Sequence, residues 1–233
     1  MIFQRDHLSN VVCNIRIPLE DGKEETGTAI FIEKNMEPYL LTAAHIAKNI
    51  NDKTYIILSD TKGTPTRILL NILLGGGTFS THTQADLAKV KIILNQDNTS
   101  YLQNRCFPYN QIDVSDNSIS KDVELTAIGF PLGLGITGTK FSPLTFRTYV
   151  ASPSITLPRF DNKTISDFII LELPSMGGYS GAPLFDLGYL ISGAMTTRKE
   201  KTVLHGIIHG TISDPTGGKL AAITPCKYLN GWF

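Results

Sequence analysis

The stretch Met-Gly-Gly-Tyr-Ser-Gly-Ala-Pro at residues 176–183 carries the most specific pattern in the chain. It surrounds Ser180 with glycines, Gly178 two residues before it and Gly181 directly after it. A nucleophilic serine needs a sharply turned backbone, because its own N–H and that of a residue just before it must both face a developing oxyanion. Glycine permits such a turn, since it adopts positive φ at little cost. The competing interpretation is a glycine-rich turn that only precedes a strand at residues 183–185.

Two weaker patterns lie upstream. Leu-Thr-Ala-Ala-His at residues 41–45 is an apolar strand that runs into two small residues and then His45. The small residues allow a tight turn that projects the imidazole into a cleft, although a buried structural histidine is the commoner case. Asp86 stands at the head of an alternating strand, where an isolated aspartate is usually a turn or cap residue. His82, in the loop before Asp86, is predicted to be a solvated loop residue.

The order His45, Asp86, Ser180 distinguishes among the known serine triads. Subtilisins run Asp, His, Ser and α/β-hydrolases run Ser, acid, His, whereas chymotrypsin-like peptidases use the order found here. The hydrolase pattern Gly-x-Ser-x-Gly is unmet, because Ala182 stands at its final glycine. The chain therefore resembles the trypsin-like (chymotrypsin-fold) serine peptidases, and within them the bacterial trypsin-like, HtrA-type branch, over residues 27–229.

This resemblance implies a serine endopeptidase, a hydrolase that cuts polypeptides through an acyl-enzyme intermediate. His45 would be the general base, Asp86 would hold its tautomer and stabilise the imidazolium, and Ser180 would be the nucleophile. Gly178 and Ser180 would donate the N–H groups of the oxyanion hole. The alternatives are a catalytically silent trypsin-like module that binds peptides, and a protease that stays latent until an activating protein partner orders its oxyanion loop.

Short apolar or β-branched runs separated by turn signals recur along the chain and predict an all-β protein. The predicted strands cover residues 11–18, 27–32, 39–42, 55–58, 67–74, 87–94, 123–130, 144–150, 168–173, 183–185, 189–195, 203–209 and 220–224. Short helices are expected only at residues 43–50 and 226–233. The resemblance implies a double six-stranded antiparallel β-barrel, a single peptidase unit over residues 1–233. Its predicted parts are an N-terminal barrel at 1–100, a linker at 101–121 and a C-terminal barrel at 122–233.

Composition excludes several functional classes. The 21 Lys and Arg balance the 21 Asp and Glu, so the net charge is +0 and no nucleic-acid partner is expected. Hydrophobic residues make up 42% and charged residues 18%, which predicts a real core rather than disorder. No apolar run is long enough to predict a membrane span. No Cys or His pair has metal-ligand spacing, so neither a metal nor another cofactor is expected.

The three cysteines, Cys13, Cys106 and Cys226, are widely spaced and odd in number. This usage suits reduced thiols better than a framework of disulfides. The first residues also lack the basic and apolar regions of a signal peptide. The sequence therefore predicts a cytoplasmic protein.

Two alignments compete for the wall of the S1 pocket, which receives the P1 side chain. One uses residues 195–197. The other, which we favour, treats residues 189–201 as an inserted hairpin and uses His209, Gly210 and Thr211, because the distance to the closing strand then suits the family.

Two departures from the family pattern have consequences. Pro174 stands six residues before Ser180, at a position where a carboxylate would pair with a basic P1 side chain. An uncharged, small or medium apolar P1 is therefore expected. Tyr179 replaces the family's aspartate directly before the serine, so a buried N-terminal ammonium would have no partner there. The oxyanion loop must instead be ordered by its own packing, by Tyr179 or by a partner.

Overall fold

Strands dominate the computed structural model, which describes the whole chain except Gly193, Ala194, Lys199, Glu200 and Asp214. The strands are β1 Val12–Pro18, β2 Glu24–Lys34, β3 Glu37–Thr42, β4 Tyr55–Ser59, β5 Pro65–Leu69, β6 Ser80–Thr81, β7 Ala88–Lys91, β8 Phe107–Pro108, β9 Leu125–Gly129, β10 Leu144–Thr148, β11 Val150–Pro158, β12 Ile165–Leu171, β13 Pro183–Asp186, β14 Tyr189–Ser192, β15 Met195–Arg198, β16 Val203–Ser213 and β17 Lys219–Pro225. The helices are α1 Arg5–Ser9, α2 Ala44–Ala47, α3 Leu70–Leu74 and α4 Thr99–Leu102, and 3-10 turns cover Tyr109–Gln111, Pro131–Gly133 and Cys226–Leu229. The longest of these α-helices has five residues, and none in the described part of the chain is long and apolar enough to cross a membrane.

Two large sheets contain most of the strands. The first has the order β5-β4-β1-β2-β3-β7-β6, with β8 parallel to β2 at its side, and the second has the order β10-β9-β13-β16-β17-β12-β11. The other pairings in both sheets are antiparallel. The predicted all-β, double-barrel fold is thus confirmed. The strand number differs, since the sheets have eight and seven strands rather than six each, and neither hydrogen-bonded path closes among the described residues.

One apolar cluster joins the two halves and positions the site. It includes Leu41, just before α2, and Leu87, just before β7, packed together with Phe130 and Ile207 from the second half of the chain. The segments that carry His45 and Asp86 are therefore fixed against the second sheet. Because burial of a large apolar side chain stabilises by about 1.5–3 kcal/mol, this cluster strongly disfavours separation of the halves.

Three sequence-based expectations need correction. The strand predicted at residues 67–74 ends at Leu69 and continues as α3, because Leu70, Leu73 and Leu74 are buried at helical spacing. The linker predicted at residues 101–121 contains β8, which pairs with β2 and so belongs to the first sheet. The strand predicted at residues 189–195 is two strands, β14 and β15, which pair with each other.

The hairpin of β14 and β15 bears on the choice between the two S1 alignments. It forms a separate two-stranded sheet, while β16 pairs with β13 directly after the serine motif. This arrangement matches the alignment that treats residues 189–201 as an insertion. Its tip and part of its end lie outside the described residues.

Candidate active site

His45 and Asp86 meet although 41 residues separate them. His45 lies in α2 directly after β3, where the buried Ala43 and Ala44 leave room for the tight turn. Its Nδ1 lies 2.7 Å from Asp86 Oδ2, and its backbone N–H donates to Asp86 Oδ1 at 3.0 Å. An ionised carboxylate can only accept hydrogen bonds, so Nδ1 carries the proton of the neutral ring and Nε2 keeps its lone pair.

Two further side chains contact the fully buried Asp86 carboxylate. His209 Nδ1 lies 2.6 Å from Oδ2, and Arg159 Nη2 donates to Oδ1 at 3.2 Å. Burial alone raises the pKa of this carboxyl, but hydrogen bonds from His209 and His45 outweigh it and hold the pKa well below its usual range. Asp86 is therefore ionised throughout the neutral range.

Arg159, in the turn between β11 and β12, was not identified from the sequence. Only 2% of its side chain is exposed. It also donates to Asp161 from Nε at 2.9 Å and from Nη2 at 2.6 Å, and to the Gln84 carbonyl oxygen from Nη1 at 3.2 Å. Because a buried guanidinium is tolerated only when paired and hydrogen-bonded, these contacts hold the turn against the Asp86 loop.

The His209 side chain faces Asp86 rather than the substrate side of β16. Its ring is stacked on Phe168, with centroids 4.9 Å apart, and packs against Phe160 at 4.2 Å. Phe160 also contacts the His45 ring at 5.0 Å. A Cβ at Gly210 would lie 2.6 Å from Phe160, so the glycine leaves the space that this aromatic ring occupies.

The other predicted S1 residues lie around the strand beside the serine. Ser180 Oγ donates to the His209 carbonyl oxygen at 3.2 Å, which places this part of β16 next to Ser180. Thr211 Oγ1 donates to the Ser175 carbonyl oxygen at 3.2 Å. Pro174 is exposed.

The backbone just before Ser180 forms a tight turn. Tyr179 N–H donates to the Met176 carbonyl oxygen at 3.1 Å, and Gly178 has a φ of +86°, as in a type II turn. Leu132 N–H donates to the Gly177 carbonyl oxygen at 2.6 Å. Since a trans peptide directs C=O and the following N–H to opposite sides, the Gly178 N–H points away from Leu132.

The serine itself is held by contacts with β2. Thr28 N–H donates to the Ser180 carbonyl oxygen at 2.8 Å, and Thr28 Oγ1 donates to the Gly178 carbonyl oxygen at 3.0 Å. Gly181 has a φ of +87°, and a Cβ there would lie 1.9 Å from the Thr28 carbonyl oxygen. Among the described residues, neither the Gly178 nor the Ser180 backbone N–H donates to another protein atom. Two N–H groups are therefore available to an oxyanion beside Ser180.

The Tyr179 side chain supports this turn from its buried side. Its side chain is fully buried in the apolar cluster of the second sheet, with its ring 5.8 Å from that of Phe146. Burial raises the pKa of the phenol, and its oxygen has no hydrogen-bond partner in the described structure. A neutral aromatic ring thus fills the space behind the turn.

His45 and Ser180 open into one cleft of about 510 Å³. Gly177 and Gly178 also line it, so the imidazole, the hydroxyl and the turn share one solvent-accessible space. The rest of the lining comes from Arg16, Glu24, Glu25, Thr26, Ile46 and Leu132. The cleft can therefore present a carbonyl group to the hydroxyl, the base and the turn together.

His82 differs from its sequence-based interpretation as a solvated loop residue. Its Nδ1 accepts the backbone N–H groups of Gln84 and Ala85 at 3.1 and 2.9 Å, so it shapes the loop just before Asp86. Burial and the nearby positive charge of Arg159 lower the pKa of His82. An imidazole that bonds its own loop leaves no spacing signal in the sequence.

One group of described side chains has the residue types and spacing that could hold a metal ion. It consists of Asp86, His45 and His209. The two Nδ1 atoms lie 2.7 and 2.6 Å from one carboxylate oxygen, whereas ligand atoms on a tetrahedral zinc ion lie roughly 3.3 Å apart. Arg159 adds a positive charge on the other oxygen. The geometry is that of hydrogen bonds sharing one acceptor, and it does not fit a metal centre.

Solved structures with this fold are numerous. The protease domain of MamO from Magnetospirillum magneticum has a TM-score of 0.63 and 14% identity, with 99% of each chain covered. The serine protease AL20 from an extremophilic microorganism has a TM-score of 0.56 and 11% identity, with 97% of this chain and 95% of that chain covered. The scabies mite inactivated protease paralogue S-I1 has a TM-score of 0.57 and 12% identity, with 97% and 93% covered. At these identities the similarity shows the fold alone.

Comparison of the sequence identifies the family more specifically than the structural matches do. No curated protein matches the chain significantly. The sequence model of the trypsin-like peptidase domain matches residues 27–189, which is well over half of the chain. By this match, and in agreement with its fold, the chain belongs to the family of trypsin-like peptidase domains.

Proposed function

We propose that this protein is a serine endopeptidase in which Ser180, His45 and Asp86 act as the catalytic triad. The observation that carries the proposal is the way in which the Asp86 carboxylate holds His45. Its Nδ1 is held by an ionised carboxylate, and its Nε2 lone pair remains for a proton in the cleft that also contains Ser180.

The residues can perform peptide hydrolysis in two balanced steps. His45 Nε2 takes the Ser180 proton as Oγ attacks the substrate carbonyl carbon, and the oxyanion is bound by the N–H groups of Gly178 and Ser180. The imidazolium then protonates the leaving amine, which gives an acyl-enzyme. In the second step water attacks the ester carbon, His45 accepts the water proton, and the same proton returns to Ser180 Oγ as the acid is released.

The proposed substrate is a polypeptide with an uncharged, small or medium apolar P1 side chain. Pro174 offers no carboxylate to a basic side chain. We assign the S1 wall to Gly210 and Thr211 and leave the His209 side chain out of it, because that side chain is engaged with Asp86. Strong cleavage after Arg in a peptide library would contradict this specificity.

The oxyanion turn is held in place by its own packing, which supports activity without an activating partner. Gly178 has the positive φ of the type II turn, and Tyr179 is packed behind it in the chain alone. The partner-activated alternative expects a low basal rate that rises when a partner is added. The silent alternative has a precedent for the fold, because one structural neighbour is an inactivated protease paralogue.

Labelling with a fluorophosphonate, which reacts with activated serines, tests the proposal. The wild-type chain should be labelled at Ser180, whereas Ser180→Ala and His45→Ala should not. Each variant should lower kcat about 10³-fold or more, and the double variant should be little worse, because triad residues act as a unit. An unlabelled wild-type chain, or losses that multiply, would reject the triad.

We also propose a cytoplasmic location. All three cysteines are free thiols, and Cys13 and Cys226 are buried. Burial also raises the pKa of the partly buried Cys106 thiol to about 12, so it is unreactive at neutral pH. Cell fractionation followed by immunodetection would test the location, and recovery of the protein outside the cytoplasmic fraction would contradict it.

A further inference from the structure

We propose that His209 is a positioning residue, which shares the Asp86 carboxylate with His45 and thereby sets how firmly His45 is oriented and how strongly its protonated form is stabilised. The inference rests on the proposed function. It concerns a histidine that the sequence predicts to lie in the wall of the S1 pocket.

The carboxylate is saturated by its neighbours. Oδ2 accepts from the Nδ1 atoms of both histidines at 2.7 and 2.6 Å, and Oδ1 accepts from the His45 backbone N–H at 3.0 Å and from Arg159 at 3.2 Å. Two carboxylate oxygens offer about four lone-pair sites, so every site is used. Rotation of Asp86 away from His45 would break its other bonds at the same time.

His209 is held as firmly as the group it positions. Its side chain is 4% exposed and lies between the rings of Phe160 and Phe168. The charged or titratable groups facing this cluster are Asp86, His45, Arg159 with its partner Asp161, and, in the neighbouring pocket that His45 and Arg159 line, Lys48 and His82. The ring therefore has one orientation, with Nδ1 directed at Asp86.

Sharing the carboxylate has a chemical consequence. Each donor on Asp86 disperses part of its negative charge, so less of it remains to stabilise the His45 imidazolium. Without His209, more of this charge would act on the His45 imidazolium, while the His45 ring would be less firmly oriented. The acid limb of the pH profile would then move upward as kcat fell.

Two substitutions separate the hydrogen bond from the packing. His209→Leu fills the space between the phenyl rings but removes the donor. His209→Asn keeps a neutral N–H on the atom bonded to Cγ. His205→Leu is the matched control, because His205 lies on the same strand and its Nδ1 pairs at 3.2 Å with Asp113, which does not line the cleft.

We expect His209→Leu to lower kcat about 10- to 100-fold with KM within about threefold, since misplaced catalytic groups lose rate rather than binding. The acid limb of its pH profile should move to higher pH. His209→Asn should recover most of kcat, and His205→Leu should match the wild type. Equal losses in the Leu and Asn variants, or an acid limb that does not move, would overturn the inference.

Proton NMR provides a readout that does not need activity and reports whether the variants fold. Two far-downfield Nδ1–H signals are expected in the folded wild-type chain, one of them lost in His209→Leu while the other shifts. If the wild type shows only one such signal, the inference fails even if the protease is active. If two signals are present but Ser180 is unreactive, the proposed function fails and the shared carboxylate stands.

Discussion

The Asp86 carboxylate lies behind His45 and the turn at residues 176–179 lies beside Ser180, and different forces hold these two regions in place. Asp86 is surrounded by polar donors and is held by their hydrogen bonds and charges. The turn is held by the buried Tyr179 ring and by a glycine with positive φ. The first arrangement depends on the protonation of its members, whereas the second does not.

This difference predicts how each region fails. Removing one partner from a buried ionic network costs more stability than the intact network contributes, because a buried charge is left unpaired. An apolar support loses stability in proportion to the volume removed and is insensitive to pH. Four substitutions test the contrast.

The largest effect is expected at Arg159. Arg159→Leu leaves the carboxylates of Asp86 and Asp161 without their shared cation, and should lower the free energy of unfolding by about 3–5 kcal/mol. Arg147→Leu is the control, because Arg147 is exposed and its contact with Glu124 measures 3.8 Å. Its effect should stay within about 0.5 kcal/mol. Urea denaturation of both variants gives the comparison, and equal effects would refute a network role for Arg159.

A single methyl group added at Gly178 should distort the turn at residues 176–179. A Cβ there would lie 2.6 Å from the Phe130 carbonyl oxygen and would force a positive φ on alanine. Gly178→Ala should therefore lower kcat about 10²-fold by misplacing an oxyanion N–H. Gly177→Ala is the matched control, since its Cβ meets nothing within 4 Å. If both variants lose kcat alike, the turn geometry is not the cause.

A smaller effect should distinguish packing from hydrogen bonding at Tyr179. The phenol oxygen has no partner among the described residues, so Tyr179→Phe should change the free energy of unfolding by less than about 1 kcal/mol in either direction. Tyr55→Phe removes a hydroxyl that donates to Glu24 at 2.6 Å, and should cost about 0.5–1.5 kcal/mol. Thermal unfolding of the pair measures the difference. A larger loss at Tyr179 than at Tyr55 would show an unrecognised partner of its hydroxyl.

The smallest effect concerns pH and the loop before Asp86. The pKa of His82 is lowered from its ordinary value of 6.5, so the unfolded chain binds more protons there than the folded chain. Its contribution to stability is present above pH 6.5 and is lost as the pH falls below it. His82→Ala should therefore flatten the fall in unfolding free energy between pH 7 and pH 5.

The sequence by itself determined the fold class, the family and the three candidate triad residues. Glycines around Ser180, small residues before His45 and the order of the motifs are local or ordered features, so they can be read along a chain. Gly178 and Gly181 have positive φ, as the motif required. The misread segments are those where local signals conflict. The apolar run at residues 67–74 fits strand or helix equally, and β11, which extends well beyond the strand predicted at residues 144–150, carries prolines at the edge of its sheet.

Only the tertiary structure decided what surrounds Asp86. His209 and Arg159 lie 123 and 73 residues from it, and neither stands in a motif. Which face of β16 presents His209 depends on the register with β13 and β17, and that register includes a shift between Ile208 and Gly210. A shift of one residue turns a side chain to the opposite face of a strand. The partners of the carboxylate are therefore set by the packing of one sheet against the other, and not by any spacing along the chain.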